Sequence, residues 1–125
     1  MTIRWPAPAG SKYHAQSTRV DGQRFDSRHE AARFAELQLL VRAGHIRSLR
    51  RQVAYPLCAC IPDAAGQCRE SRVIARYFAD FVYEERAAPN RWQLVVEDAK
   101  GVRTPIYRLK KKWFEAQYGA PIREV

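Results

Sequence analysis

The sequence lacks any apolar run long enough to cross a membrane, and its first residues, MTIRWPAPAGSKYH, lack the apolar middle of a signal peptide. Cysteine is also scarce: the 125 residues include three, an odd number that does not make a secreted disulfide framework. We therefore expect a cytoplasmic protein that has no membrane partner and keeps its thiols reduced.

Acidic residues are few relative to basic ones, since 13 Asp and Glu stand against 22 Lys and Arg and leave a net charge of +9. Such a surplus typically belongs to a protein that meets a polyanion, most often nucleic acid. Many small basic proteins bind nucleic acid only incidentally, so the charge alone leaves this interpretation open. The apolar fraction of 46% is enough for one packed core.

Residues 1–16 carry no hydrophobic periodicity and include two prolines and a glycine, which indicates a flexible basic N-terminal arm. We expect residues 17–125 to form a single domain, because the chain has the commonest size for one. The turn signal Asp21-Gly22 predicts a short hairpin at the start of that domain.

A first helix is predicted from a Ser-x-x-Glu capping box, Ser27 to Glu30, followed by helical periodicity up to a stop at Gly44. Its apolar stripe consists of Phe34, Leu37 and Val41. Glu30 continues this stripe one turn earlier, so its carboxylate should point toward the core. The alternative is that Glu30 only reaches back to the backbone of Ser27.

Three strands are predicted next, within residues 45–61 and in the segments SRVIARYFADFVYEE and WQLVVEDAKG, because all are rich in β-branched and aromatic residues. Thr104-Pro105 predicts the start of a second helix that ends at Gly119, and PIREV predicts a last strand. The order helix, three strands, helix, strand indicates an α/β fold with a mixed sheet flanked by helices.

Acidic residues interrupt two of these strands where apolar residues are expected. Asp80 lies in YFADFVY, and Asp98 and Lys100 lie in LVVEDAKG. The alternate neighbours on the same strand faces are apolar: Phe78 and Val82 beside Asp80, Leu94 and Val96 beside Asp98. Because an unpaired buried charge costs several kcal/mol, such groups pair with each other, bind a metal or perform chemistry.

If the two strands are hairpin neighbours, Asp80 and Asp98 approach each other with Lys100 close by. Two carboxylates and a backbone carbonyl supply hard oxygen ligands for Mg²⁺, which activates water and offsets charge on a phosphate. A lysine there would help to neutralise the phosphate. The structural alternative is an Asp–Lys salt bridge, or a sheet edge at which these charges face water.

The segment ADF, followed one hairpin later by VVEDAKG, resembles the paired motifs of the PD-(D/E)xK nuclease superfamily. Asp80 matches the first acid, and Asp98-Ala99-Lys100 matches the second motif. Ala79 stands where the motif has proline. Nearly the whole chain, from KYHAQSTRVDGQRF to its last residues, resembles a family of small phage and prophage proteins of unknown function placed in that superfamily.

The resemblance implies a restriction-endonuclease-like core with the order α-β-β-β-α-β. It also implies Mg²⁺ or Mn²⁺ held by Glu30, Asp80, Asp98 and the carbonyl of Ala99, with Lys100 as the catalytic cation. Glu30 is similar in place to an acid on the first helix of phage junction-resolving endonucleases and of some transposase subunits. Glu97, on the opposite strand face, is interpreted as solvated or paired with an arginine, and as a substitute ligand if the strand is bulged.

Basic residues cluster in two places and are candidates for phosphate contacts. They are Arg103, Arg108, Lys110, Lys111 and Lys112 near the second helix, and Arg47, Arg50 and Arg51 within the first predicted strand segment, residues 45–61. On the helix we expect Arg108, Lys111 and Lys112 to face solvent, opposite an apolar face of Ile106, Leu109 and Trp113. A merely solvated face is the alternative for each of these residues.

Cys58, Cys60 and Cys68 could form a zinc site with His45 or His29, because thiolates suit that metal. The spacing lacks the paired Cys-x-x-Cys of structural zinc modules, which argues against this site.

We therefore expect a metal-dependent endonuclease that hydrolyses phosphodiester bonds in DNA, with branched or distorted DNA suggested by the resemblance alone. One alternative is a non-catalytic nucleic-acid-binding module, and another is a subunit recruited to a phage replication or packaging assembly. A protein this small that cuts two strands would act as a homodimer.

Overall fold

The computed structural model describes residues 18–20, 23–25, 27–100 and 102–125. In chain order its elements are β1 (Thr18–Val20), β2 (Gln23–Phe25), α1 (Arg28–Arg42), β3 (Ile46–Pro62), β4 (Cys68–Ala88), β5 (Arg91–Asp98), α2 (Pro105–Tyr118) and β6 (Ile122–Glu124). The predicted N-terminal arm, residues 1–16, and the Asp21-Gly22 turn lie outside the described residues.

The main sheet has four strands in the order β3-β4-β5-β6. Its first three strands are antiparallel, and β6 returns after α2 to lie parallel to β5. The short strands β1 and β2 pair with each other as an antiparallel hairpin. The predicted α/β class, the mixed sheet and the order of the elements are therefore confirmed.

The two helices cover opposite faces of the sheet. Successive residues of a strand point to opposite faces, and Phe81 on β4 packs in the core cluster of α1 while its neighbour Val82 packs in that of α2. The part of β4 that precedes Phe81 in the chain does not pair with β5; it pairs with β3 alone and forms a two-stranded arm. The arm and the four-stranded part meet at a fork, and the predicted acids lie there.

Helix α1 begins as its sequence predicts. Ser27 is the N-cap, and its hydroxyl accepts the backbone N–H of Glu30 at 3.1 Å. Phe34 and Leu37 are buried as predicted, but the prediction for Val41 is wrong, because that side chain is 40% exposed. Val41 lines an open groove between α1 and β3.

Helix α2 has the predicted ends, with Thr104 as N-cap and Gly119 in the left-handed conformation at φ 67°. Its buried face, however, was predicted correctly only for Trp113, which packs against the core cluster of α2. Tyr107 and Phe114 are the buried residues, whereas Ile106 and Leu109 are exposed. Aromatic packing determines which side of α2 faces the sheet. Phe114 contacts the rings of Tyr55, Tyr77 and Tyr118.

The cysteines also differ from the expectation. Cys60 and Cys68 form a disulfide, and Cys58 remains a free thiol. The prediction of reduced thiols is therefore wrong for two of the three, and a three-cysteine zinc site is no longer available. The two residues meet because the antiparallel arm places Pro62 opposite Cys68 and Cys60 opposite Ser71, a relation that depends on the hairpin register.

Candidate functional site

Asp80 and Asp98 lie side by side at the fork of the sheet. The register pairs Phe81 with Glu97, so the next position places Asp80 opposite Asp98 where the β4–β5 ladder ends. Both carboxylates are buried, and the backbone N–H of Ala99 donates to Asp80 Oδ2 at 2.9 Å. The structure thus brings together the two acids that the sequence singles out.

Asp98 has unequal surroundings at its two oxygens. The hydroxyl of Tyr77 donates to Oδ2 at 2.5 Å. Lys100 Nζ lies 3.1 Å from Oδ1 as an ion pair, but no hydrogen-bond donor is aligned with that buried oxygen. Burial, and after it the negative charge of Asp80, raises the pKa of Asp98 to about 8. Asp98 therefore has one oxygen fixed by Tyr77 and one available to a cation.

Glu30 reaches the same fork from α1. Its side chain is buried, and its Oε1 accepts a hydrogen bond from Gln52 Nε2 at 3.1 Å. The same Gln52 nitrogen donates to Asp80 Oδ1 at 3.0 Å, and Arg51 lies 3.7 Å from Glu30 Oε1. The side chain of Glu30 is thus directed into the sheet, as its position on the apolar stripe predicted.

The chemistry of these acids fits a hard divalent cation. Within the described parts of the chain, no three His, Cys, Asp or Glu side chains are grouped closely enough to hold a metal ion. Mg²⁺ does not require such a cage, because it usually keeps several waters and takes one or two carboxylates. Asp80 and Asp98 supply that pair, and the buried Oδ1 of Asp98 without an aligned donor suits it.

Lys100 extends from the end of β5 beside Asp98. Its ammonium lies 4.8 Å from the centre of the Tyr107 ring, a cation–π contact with the first turn of α2. Lys110, on the same helix, is half-buried, and burial together with the charge of Lys100 lowers its pKa. A second positive group therefore lies near the first at this end of the sheet.

Glu97 belongs to a separate network on the other face of the sheet. The carboxylate is fully buried and accepts two hydrogen bonds from Arg33, each 2.9 Å long. The hydroxyl of Tyr83 donates to it at 2.7 Å. The interpretation of Glu97 as an arginine-paired residue is confirmed, and the alternative of a solvated residue is wrong.

This network yields a stability prediction. Arg33→Ala would leave the Glu97 carboxylate buried without its cation, and breaking such a pair typically costs about 3 kcal/mol or more. We expect urea denaturation to show a loss of that size in the free energy of unfolding. Arg72→Ala removes an arginine from the exposed pair with Glu70 and should change little; equal values for the two variants would contradict the assignment.

Several of the predicted phosphate-contacting residues are instead held by acids. Arg103 Nε, before α2, and Lys111 Nζ, on α2, contact Glu124 at 2.8 and 2.9 Å. Arg47 contacts Glu84 at 3.2 Å. The prediction that Lys111 faces solvent is therefore wrong, because this side chain reaches β6.

Other members of the basic set remain accessible. Arg50, Arg108 and Lys112 are exposed, whereas Arg51 is half-buried next to Glu30. A groove of about 470 Å³ runs along Arg51 and is lined by Phe34, Gln38, Val41, Arg42, Leu49 and Arg51. Of these lining residues, Arg51 lies 3.7 Å from Glu30 Oε1.

Sequence reasoning missed two residues of the site. One is Tyr77 on β4, whose hydroxyl donates to Asp98. The other is Gln52 on β3, whose amide nitrogen donates to both Glu30 and Asp80. The only local signal for Tyr77 is a polar hydroxyl within an apolar strand. Gln52 stands in the basic run RRQVAY, where nothing in the pattern distinguishes it from a solvated residue.

No helix among the described residues is long and apolar enough to span a membrane. Comparison with curated proteins and with solved structures finds no match to the chain. One family model does match, over residues 10–123, and its description is Protein of unknown function (DUF1064). Because the match covers most of the chain, the protein belongs to the DUF1064 family.

Proposed function

We propose that the protein is a metal-dependent endonuclease that hydrolyses phosphodiester bonds in DNA, with a restriction-endonuclease-like core of the PD-(D/E)xK type. The observation that carries the proposal is the burial of Asp80 and Asp98 side by side, with Lys100 Nζ 3.1 Å from Asp98. Two adjacent buried carboxyl groups are costly to ionise together, and perturbed groups of this kind concentrate at functional sites.

Asp80, Asp98 and the carbonyl of Ala99 would hold Mg²⁺ or Mn²⁺, with Glu30 at the margin of the site. The bound cation would supply an activated water and offset charge on the phosphate. Tyr77 and the N–H of Ala99 each fix one oxygen of an acid, which orients the other oxygens. Lys100 would neutralise the phosphate as negative charge develops on it.

The charge of the chain supports DNA as the partner. The net charge is +9, and exposed Arg50, Arg108 and Lys112 can contact phosphates without reading base sequence. The groove lined by Arg42 and Arg51 adds two arginines that could contact a DNA strand, and Arg51 lies beside Glu30. We further propose branched or distorted DNA as the substrate and a homodimer as the acting form, in keeping with the resemblance to junction-resolving endonucleases.

A second candidate function is a non-catalytic nucleic-acid-binding module, alone or within a phage replication or packaging assembly. The Asp98–Lys100 ion pair favours it, because the lysine already lies 3.1 Å from one of the two acids. In this case the acids would serve only to hold the fork of the sheet together.

Cleavage assays with plasmid and synthetic four-way-junction DNA separate the two functions. We expect nicking or resolution in Mg²⁺ or Mn²⁺ and none in excess EDTA, because the acids alone cannot activate water. A protein that binds both DNAs but cuts neither in any divalent cation would reject the endonuclease and support the binding module.

The exposed basic residues of α2 yield a prediction for DNA affinity. Arg108→Ala and Lys112→Ala should each weaken binding to all DNA sequences. Each should also reduce the slope of log affinity against log salt concentration by about one. Arg91→Ala is the matched control, since Arg91 is exposed at the opposite end of β5 from Asp98. Fluorescence anisotropy at several salt concentrations measures this, and identical slopes for all three variants would place the DNA elsewhere.

A further inference from the structure

Gln52 has a backbone conformation that its residue type rarely adopts. It lies in β3 with φ 50°, in the left-handed region. The flanking pairs, Arg51 with Phe81 and Val53 with Ala79, keep a regular register, so Gln52 stands opposite Asp80. A left-handed residue that is not glycine persists where its surroundings hold it, and such residues concentrate at functional sites.

The side chain of Gln52 connects two carboxylates that would otherwise repel each other. Its Nε2 donates to Glu30 Oε1 at 3.1 Å and to Asp80 Oδ1 at 3.0 Å. Glu30 comes from α1 and Asp80 from β4, so one amide group bridges two elements. Asp80 belongs to the proposed cation-binding pair, and Glu30 lies at the margin of that site.

An amide N–H cannot stay directed at a carboxylate oxygen once a cation occupies the same side of that oxygen. The other end of the amide, Oε1, is a hard oxygen of the type that Mg²⁺ and Ca²⁺ accept as a ligand. Gln52 is exposed, so its amide can rotate without disturbing the packed core. The side chain can therefore donate from Nε2 to the carboxylates when no cation is bound, and accept through Oε1 as a ligand when a cation is bound.

We propose that Gln52 is a cation-responsive positioning residue: its amide nitrogen holds Glu30 and Asp80 in the metal-free protein, and its amide oxygen turns toward the cation when one binds. The inference rests on the proposed function, because it requires the cation site. The opposite possibility is that Gln52 is only a cross-brace, whose hydrogen bonds compete with the cation.

The two possibilities predict opposite effects on cation affinity, measured by titration calorimetry with Mg²⁺ and Ca²⁺ in the absence of DNA. Gln52→Gly and Gln52→Ala both remove the amide, and glycine also accepts the left-handed backbone. A positioning residue requires both variants to bind Mg²⁺ at least about tenfold more weakly. Gln93→Ala, at an exposed glutamine of β5, should bind as the unmodified protein does.

Equal or tighter binding by both Gln52 variants would overturn the inference and leave the endonuclease proposal intact. No cation binding by the unmodified protein would reject both. A loss confined to Gln52→Ala would mean that the backbone conformation matters and the amide does not, which also overturns the inference.

A second measurement uses the unmodified protein and does not depend on whether a variant folds. The side-chain NH₂ signals of Gln52 in a ¹H–¹⁵N spectrum are assigned by their loss in Gln52→Glu. On addition of Mg²⁺ they should shift and exchange faster with water, since the amide nitrogen leaves both carboxylates. Unchanged signals under conditions in which calorimetry shows Mg²⁺ binding would contradict the rotation.

Discussion

Asp98→Asn is expected to lower the rate of DNA cleavage in Mg²⁺ at least about 1,000-fold, a loss of about 4 kcal/mol of transition-state stabilisation. Asparagine keeps an oxygen for the Tyr77 hydroxyl but removes the negative charge that would hold the cation. It also releases Lys100 from its 3.1 Å ion pair, so the lysine loses its orientation. Single-turnover assays with labelled junction DNA measure this rate.

Two comparisons show whether the loss comes from chemistry. Glu70→Gln makes the same chemical change at an exposed carboxylate on the arm and should cleave as the unmodified protein does. The affinity of Asp98→Asn for DNA in EDTA should be retained, because the exposed basic residues are unchanged. Cleavage by Asp98→Asn at the unmodified rate would remove Asp98 from the proposed chemistry.

The elements that the sequence predicts well are those fixed by local signals. Ser27 and Thr104 cap the two helices, and Gly44 and Gly119, both with positive φ, follow their ends. Each signal acts within a few residues, so a single sequence is enough to find it. The strand order follows from the same local boundaries, since short connections favour neighbouring strands.

The features that the sequence does not predict depend on contacts between distant residues. Leu109 is 60% exposed, although helical periodicity assigns it to the core, because the aromatic packing of Phe114 sets the rotation of α2. The Cys60–Cys68 disulfide needs the register of a long hairpin. Periodicity shows which residues share a face of a helix. It does not show which of those faces packs against the rest of the protein.

The residues of the candidate site also fall into those that the sequence predicts and those that only the fold reveals. Asp80 and Asp98 were detectable because charges within apolar strands violate the expected pattern, and neighbouring strands bring them together. Gln52 was not detectable, because a glutamine among arginines is consistent with an ordinary solvent-exposed segment. Its role depends on a left-handed backbone and on the approach of α1, which only the folded chain displays.

The stability of the metal-free protein is expected to fall as the pH rises from about 4 to about 8, and Asp98→Asn should remove this fall. The pKa of Asp98 is raised from 3.8 to about 8, with burial as the larger cause and Asp80 as the next. Below pH 3.8 the carboxyl is protonated in both the folded and the unfolded state, so it adds no pH dependence. Between the two values the folded state retains the proton and the unfolded state loses it.

Each pH unit in this window therefore lowers the free energy of unfolding by up to about 1.4 kcal/mol. Above pH 8 both states are ionised and the contribution is constant. Asparagine does not titrate, so the stability gained by Asp98→Asn over the unmodified protein should be small near pH 4 and largest above pH 8. Carboxylates remote from Asp98 contribute equally in both proteins and cancel in the difference.

Urea denaturation of the two proteins in EDTA, at intervals from pH 4 to pH 9, measures that difference. Mg²⁺ should reduce this stability difference at high pH. The cation stabilises the ionised carboxylate pair of the unmodified protein, whereas asparagine has no charge with which to bind it. A difference independent of pH would show that Asp98 ionises normally in the fold. The two carboxylates would then lack the mutual repulsion that makes a cation at this fork favourable.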